Sequence, residues 1–490
     1  VLERHYTAGG FTHVFKRKGY EWDVGIHYIG EMQKTHGLLY KMFDYVTDGN
    51  LEWEDMGEVY DKIIIGDDEY DFVKGVDNFK NKMKAYFPGE EETIDTYVDL
   101  VFKAIKASGK FHMNKALPPV VGKLTKGIMA RSFYKFSDKT TYEVLSSLTK
   151  NERLIKVLTG QYGDYGLPPK ESSFYMHASV AKHYFFGGSF PIGGSGRIVE
   201  TIAPVIAKAG GQILVRAEVD EVIVENNNAV GVKLQDGKSI SADKIISGVG
   251  IINTYNKLLS KQIVEKHKLN QHLQKVKPSI SYANLFIGLN GDPKSIGLPK
   301  TNYWVYPAEG SHDECIERFR ENPNAEFPLV YISFPAAKDP DFQNRYPGKS
   351  TIDIIVPMPY AQVAQWSDMK WKKRGSEYDA VKDRITNRLL DILYKHVPQT
   401  KGKIDIAELS TPVTVQHFVN YETGELYGLD HTPSRFRQSF LQPRTAIKNF
   451  YLTGQDIVSA GVGGALFAGV LTASVVAGKN LVSDVLKQKD

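Results

Sequence analysis

The chain has 490 residues, 61 basic against 57 acidic side chains, a net charge of +4, and 42% apolar residues. That length exceeds one hydrophobic core and implies two domains of a folded, globular protein. The near balance of charge gives no footprint for nucleic acid, and the single cysteine, Cys315, rules out an internal disulfide or a cysteine-pair redox centre, so any redox chemistry must be carried by a cofactor.

The chain opens on Val1-Leu2-Glu3, which reads as the end of a strand, followed by the turn Ala8-Gly9-Gly10. In a dinucleotide-binding fold an acid at the end of the second strand accepts the ribose hydroxyls. Glu3 fits that role, and Gly9 and Gly10 would let backbone approach a pyrophosphate without Cβ clashes. The G-x-G-x-x-G turn that belongs upstream of such an acid is expected on about 10–40 further residues before Val1. Gly193-Gly194-Ser195-Gly196 does not have its spacing.

Strands are expected over 11–15 and 20–25. Asp23-Val24-Gly25-Ile26-His27-Tyr28-Ile29-Gly30 then feeds a strand into a glycine turn. That arrangement suits close approach to a flat ligand and equally a surface hairpin with one exposed histidine. A hairpin is expected over 63–70, and helices over 90–180, broken at Pro118-Pro119 and Pro168-Pro169. Between 101 and 137 there are eight Lys or Arg and no acid, interleaved with apolar residues such as Leu124, Ile128 and Phe133. This stretch suits an anionic membrane surface as well as an ordinary helix with solvated lysines.

An amphipathic helix is expected over 198–209, strands over 213–216, 219–225, 229–234 and 244–247, longer strands at 285–289, 330–334 and 352–356, and a helix over 376–396. The chain ends on a strand at 450–452, the turn Gly454-Gln455-Asp456 and an apolar helix containing Gly461, Gly463 and Gly464. Asp456 stands where it can accept a ribityl hydroxyl. The helix start offers free N–H groups and a positive dipole end, as the electron-rich edge of a reduced flavin requires. The uncharged run 457–478 has the length of a membrane span, but its five glycines and the abutting turn argue against that reading.

Together Glu3 with Gly9-Gly10, the stretch 23–30, Phe190-Pro191-Ile192-Gly193-Gly194 and the terminus 454–469 resemble the phytoene desaturase and carotenoid isomerase superfamily of FAD-dependent oxidoreductases. The run from Gly160 through Tyr162, Asp164 and Tyr165 to Pro169, with Ser172-Ser173-Phe174, Met176-His177-Ala178 and His183-Tyr184, is similar to its retinol saturase branch. The resemblance covers essentially the whole chain. It implies that Glu3 binds the FAD ribose, Asp456 the ribityl chain and Val219 the adenine through its backbone, with Gly25 and His27 near the isoalloxazine ring. It departs from the family in lacking the Gly-rich pyrophosphate loop.

The expected fold is α/β. A discontinuous Rossmann-like FAD domain (1–45, 186–262 and 432–490) would join an α+β substrate domain (46–185 and 263–431) built on a mainly antiparallel sheet. The expected function is hydride exchange through flavin with a conjugated isoprenoid, saturating or isomerising a double bond. NAD(P)H is a candidate electron donor, and His27 and His177 are the candidate proton donors. A desaturase running the same chemistry in reverse is the alternative enzyme. A prenyl-binding carrier resembling Rab escort and GDP-dissociation-inhibitor proteins is the alternative without catalysis. Location is expected to be cytoplasmic or on a membrane surface, with 101–137 as the contact.

Overall fold

The computed structural model describes residues 1–487. Strands β1 (Val14–Arg17) and β2 (Tyr20–Asp23) pair across a turn at Lys18 and Gly19, both at positive φ. Next come the hairpin β3 (Val59–Ile65) and β4 (Asp68–Val73), and helices α1 (Glu91–Asn114) and α2 (Pro119–Ser137). The two helices meet at the proline pair. Pro119 lacks the N–H that a continuing helix needs, and it takes a first-turn place where none is required. The chain continues through α3 (Phe174–Tyr184), α4 (Arg197–Lys208), β5 (Val219–Glu225), β6 (Asn228–Leu234) and β7 (Ile245–Ser247). Strands β8 (Tyr282–Asn290), β9 (Asn302–Tyr306), β10 (Val330–Ser333) and β11 (Lys349–Pro357) precede α5 (Ser376–His396). Last come β12 (Ile404–Ser410), β13 (Phe450–Leu452) and α6 (Gly461–Ala477).

Two expected strands are not formed as read. The stretch 11–15 begins as a 3-10 turn at Gly10–Thr12, with the strand starting only at Val14. The apolar run 213–216 makes one parallel bridge, Leu214 to Leu2, and leaves Leu214 and Val215 exposed. Apolar composition alone does not make a strand where partners are few.

The largest sheet has seven strands in the order β12-β8-β11-β10-β9-β3-β4, antiparallel except for the β9–β3 pair. Helix α5 covers one face. Its Tyr378, Ile385, Leu389 and Leu393 share a helical stripe packed with Ile352, Ile354 and Ile287, and Leu389 and Leu393 are fully buried. Each such side chain contributes about 1.5–3 kcal/mol by leaving water. Glu377 and Asp379 at the first turn and Lys395 and His396 at the last complement the helix dipole. The other face meets an aromatic core that includes Tyr28, Tyr97, Tyr162, Tyr165, Tyr184 and Trp304. A separate core joins Ile26, Leu39, Val222, Phe450 and Leu471 around β5, β6, β7, β13 and α6.

Candidate active site

The glycine-rich turns gather beside the second core. Glu3 pairs through its backbone with Leu214 and Ala217, and its carboxylate accepts the His5 N–H at 2.7 Å. Gly9 and Gly10 both have positive φ, and a Cβ at Gly10 would meet nothing within 4 Å. Val219 opens β5 half-buried. Leu214 and Ile246, on the short parallel pieces of this region, and Val215 and Val249 beside them are exposed. Among the described residues no G-x-G-x-x-G turn is found.

At the other end of the chain, β13 leads into Gly454 at φ 94°, where an added Cβ would approach only the Gly248 carbonyl, at 3.6 Å. Asp456 is buried. Its oxygens accept the Ile251 N–H at 2.8 Å and the Leu429 N–H at 3.0 Å, which fixes the turn against two other segments. Helix α6 follows with no side-chain cap and no acid in its first turn. It is apolar all round, a composition suited to full burial. Yet Val462, Gly463, Gly464, Ala465, Leu466 and Phe467 are only half-buried, and Gly461 is exposed. Free first-turn N–H groups, the open Gly461 and a half-covered apolar wall fit the polar edge and flat ring of a flavin.

The stretch 23–30 and the Gly193–Gly194 motif, far apart in sequence, lock together. Buried Asp23 accepts the Ser195 N–H at 2.5 Å, and Gly193 N–H donates to Asp339 at 2.9 Å. Burial raises the Asp23 carboxyl to about 6. Gly25 is exposed, with Phe11 3.0 Å from where a Cβ would stand. His27 is buried, and neither ring nitrogen has a hydrogen-bond partner; its nearest acid is Asp353, 3.6 Å away. Burial first, then the Lys338 charge, lowers His27 to about 3 and keeps it neutral.

Beneath His27 and Tyr28 runs a row of buried polar groups on adjacent strands of the large sheet: Asp353 opposite Ser333, and Asn302 opposite Asp61. Asp61 accepts from Tyr28 at 2.8 Å, Gln161 at 2.7 Å and Asn302 at 2.9 Å. Lys338, fully buried, donates to the His27 carbonyl at 2.9 Å, to Ser333 at 2.8 Å and to Asn302. Desolvation lowers Lys338 to about 7 and pushes the carboxyls of Asp61, Asp164 and Asp353 up. His27, Tyr28, Gln161 and Asp164 lie in motifs read from the sequence, whereas Asp61, Asn302, Ser333, Lys338 and Asp353 did not stand out there. The available signal was a charged side chain inside an apolar strand, as in Val59–Ile65 and Lys349–Pro357.

The run 160–169 is built into the same core. Tyr306 and Tyr282 hydroxyls donate to the carbonyls of Gly160 and Gly163, and a Cβ at Gly163 would stand 2.6 Å from Trp304. His177 on α3 belongs to a different polar group from His27. Its Nε2 lies 2.9 Å from the Tyr97 hydroxyl and its Nδ1 3.3 Å from that of Tyr165, and burial lowers it to about 3. A cavity of about 250 Å3 at the edge of this core is lined by Leu167, Ile280, Ser281, Ile316 and Tyr360, among others.

Glycine turns around an uncapped helix start, beside a closed aromatic core with buried acids, suit the class of flavin-dependent oxidoreductases. The comparisons agree. Residues 1–477 match the profile described as flavin containing amine oxidoreductase, and the chain belongs to that family. It is 36% identical to the all-trans-retinol 13,14-reductase of Danio rerio over 98% of this chain and 82% of that protein. It is 22% identical to the chloroplastic prolycopene isomerase 1 of an Oncidium hybrid cultivar over 97% of this chain and 79% of that protein. Among solved structures, cyclohexylamine oxidase from Brevibacterium oxydans superposes with a TM-score of 0.60 at 15% identity, covering 99% of this chain and 93% of that one. The resemblance read from the motifs thus holds along the chain.

Proposed function

We propose that this protein is an FAD-dependent reductase that adds two hydrogens across one double bond of a retinoid- or carotenoid-like polyene. The observation that carries the proposal is the similarity to a retinol reductase over nearly the whole chain. The aromatic core beside the flavin-side half supports it. A buried wall of tyrosine and tryptophan suits a long conjugated chain and excludes water.

When bound, FAD supplies hydride exchange. Glu3, Gly9, Gly10, Val219, Gly454, Asp456, Gly463 and Gly464 would hold it. Glu3 would accept from ribose, Asp456 would set the turn beside the ribityl chain, and the start of α6 would face the ring's electron-rich edge. Gly25 and His27 would border the ring. Of the two histidines, His27 is the better proton donor, because its ring nitrogens are free whereas those of His177 are engaged by Tyr97 and Tyr165. A neutral imidazole is a weak acid, and the neighbouring carboxyl of Asp353, which burial pushes up, is the acidic group nearest to it. The glycine turns, β5 to β7, β13 and α6 would form the cofactor domain, and the large sheet with α1 to α3 the substrate domain.

The test is to purify the full-length protein and identify bound flavin and bound lipid by mass spectrometry. Recovery of FAD with a polyene supports the proposal. Protein that takes up polyene but never flavin would favour a carrier.

A further inference from the structure

The outward face of α2 is apolar where a solvated helix would be polar. Val120, Leu124 and Ile128 recur every fourth residue with 71%, 77% and 82% of their surface exposed, and Val121 beside them is also exposed. The opposite face is occupied: Ala130 and Phe133 pack with Phe111, Tyr175 and Phe436. One side of the helix therefore anchors it, and the apolar stripe is held outward.

Charge frames the stripe. The stretch 101–137 carries eight Lys or Arg and no Asp or Glu. Lys123, Arg131 and Lys135 on α2 and Lys106 and Lys110 on α1 are exposed. Arg131 and Lys135 continue the line of the stripe one and two turns on, so apolar side chains give way to basic ones along a single face. No helix among the described residues is long and apolar enough to cross a membrane.

We propose that this face of α2 docks the protein on an anionic lipid bilayer, with Val120, Leu124 and Ile128 entering the acyl boundary and the basic side chains meeting the headgroups. A second copy of the same face is a poor partner, since a two-fold contact would oppose one acid-free basic stretch to another. The docking face lies close to the candidate site. Tyr175, behind Phe133, shares a 2.8 Å hydrogen bond with His112, whose ring contacts Phe467 on α6. The inference goes beyond the reaction and would stand for a protein that bound its ligand without converting it. If the substrate is a polyene, the same bilayer is where it would reside.

The test is flotation of the purified full chain with phosphatidylcholine vesicles, with and without phosphatidylserine, with neither flavin nor polyene added. Binding to the anionic vesicles, weakened by salt, is expected. The double variant Leu124→Glu, Ile128→Glu should lower partitioning about tenfold or more. Ile240→Glu, at an exposed apolar position on another element, should not change it. Circular dichroism and the thermal midpoint verify that each variant is folded. Equal partitioning of the double variant, no binding by the wild type, or a wild-type dimer that the double variant makes monomeric would overturn the proposal.

Discussion

The two halves of the molecule hold their sheets together differently. In the large-sheet half, β8 runs nine residues and pairs along all of them with β11, while β12 takes its other edge. Ile287, Leu289, Ile352 and Ile354 there have no exposed surface. In the flavin-side half, β7 and β13 share three residue pairs, Leu2 meets Leu214 in a single bridge, and apolar side chains stay exposed nearby. One half is stabilised by its own packing. The other has glycine turns and free helix N–H groups that the proposed flavin would engage, so its stability should rise with ligand occupancy.

That contrast can be broken most forcefully in the large sheet. Ile287→Ala should cost about 3 kcal/mol by opening a cavity that neighbouring strands cannot close. The loss, measured by urea unfolding, should be the same with and without added FAD. A loss that FAD restores would mean that the two cores are not separable.

Asp456→Ala sharpens the comparison from the other side. It leaves the Ile251 and Leu429 N–H groups without their charged acceptor, at a cost of about 2 kcal/mol. Flavin retention on gel filtration should fall together with the thermal midpoint. Full retention with an unchanged midpoint would reduce Asp456 to an ordinary turn residue.

A smaller effect concerns pH. Lys338 is lowered from 10.5 to about 7 in the folded state, chiefly by burial. Between those values the unfolded chain binds more protons, so this group's contribution to stability grows as pH rises through the window and is lost as pH falls through about 7. The difference in midpoint between wild type and Lys338→Met should therefore shift in favour of the wild type from about pH 7 to about pH 9. A difference that is flat with pH would show that Lys338 does not titrate there.

Legibility in the sequence follows the same division. The helix expected over 376–396 forms with those bounds and buries the stripe of Tyr378, Ile385, Leu389 and Leu393, and apolar runs located β5, β6 and β13. Local periodicity suffices where an element buries one continuous face. It misled at 213–216, where the residues look strand-like but find a single bridge. The glycine turns were readable because positive φ and close approach demand glycine locally. The row of Asp61, Asn302, Ser333 and Asp353 was not. Each is a polar residue in or at the end of a strand that is mostly apolar, and only the pairing of β3, β9, β10 and β11 makes them neighbours. Lys338 acquires its meaning from the same sheet.

The most direct test of the function is a single turnover without oxygen. Chemically reduced, FAD-loaded protein is mixed with a panel of retinoids and carotenoids, and the products are followed by mass and absorbance. The expected result is a gain of two hydrogens with a blue shift as conjugation shortens, in proportion to flavin. Loss of hydrogen by the oxidised protein, an isomer of unchanged mass, or tight binding with no product in either redox state would contradict it.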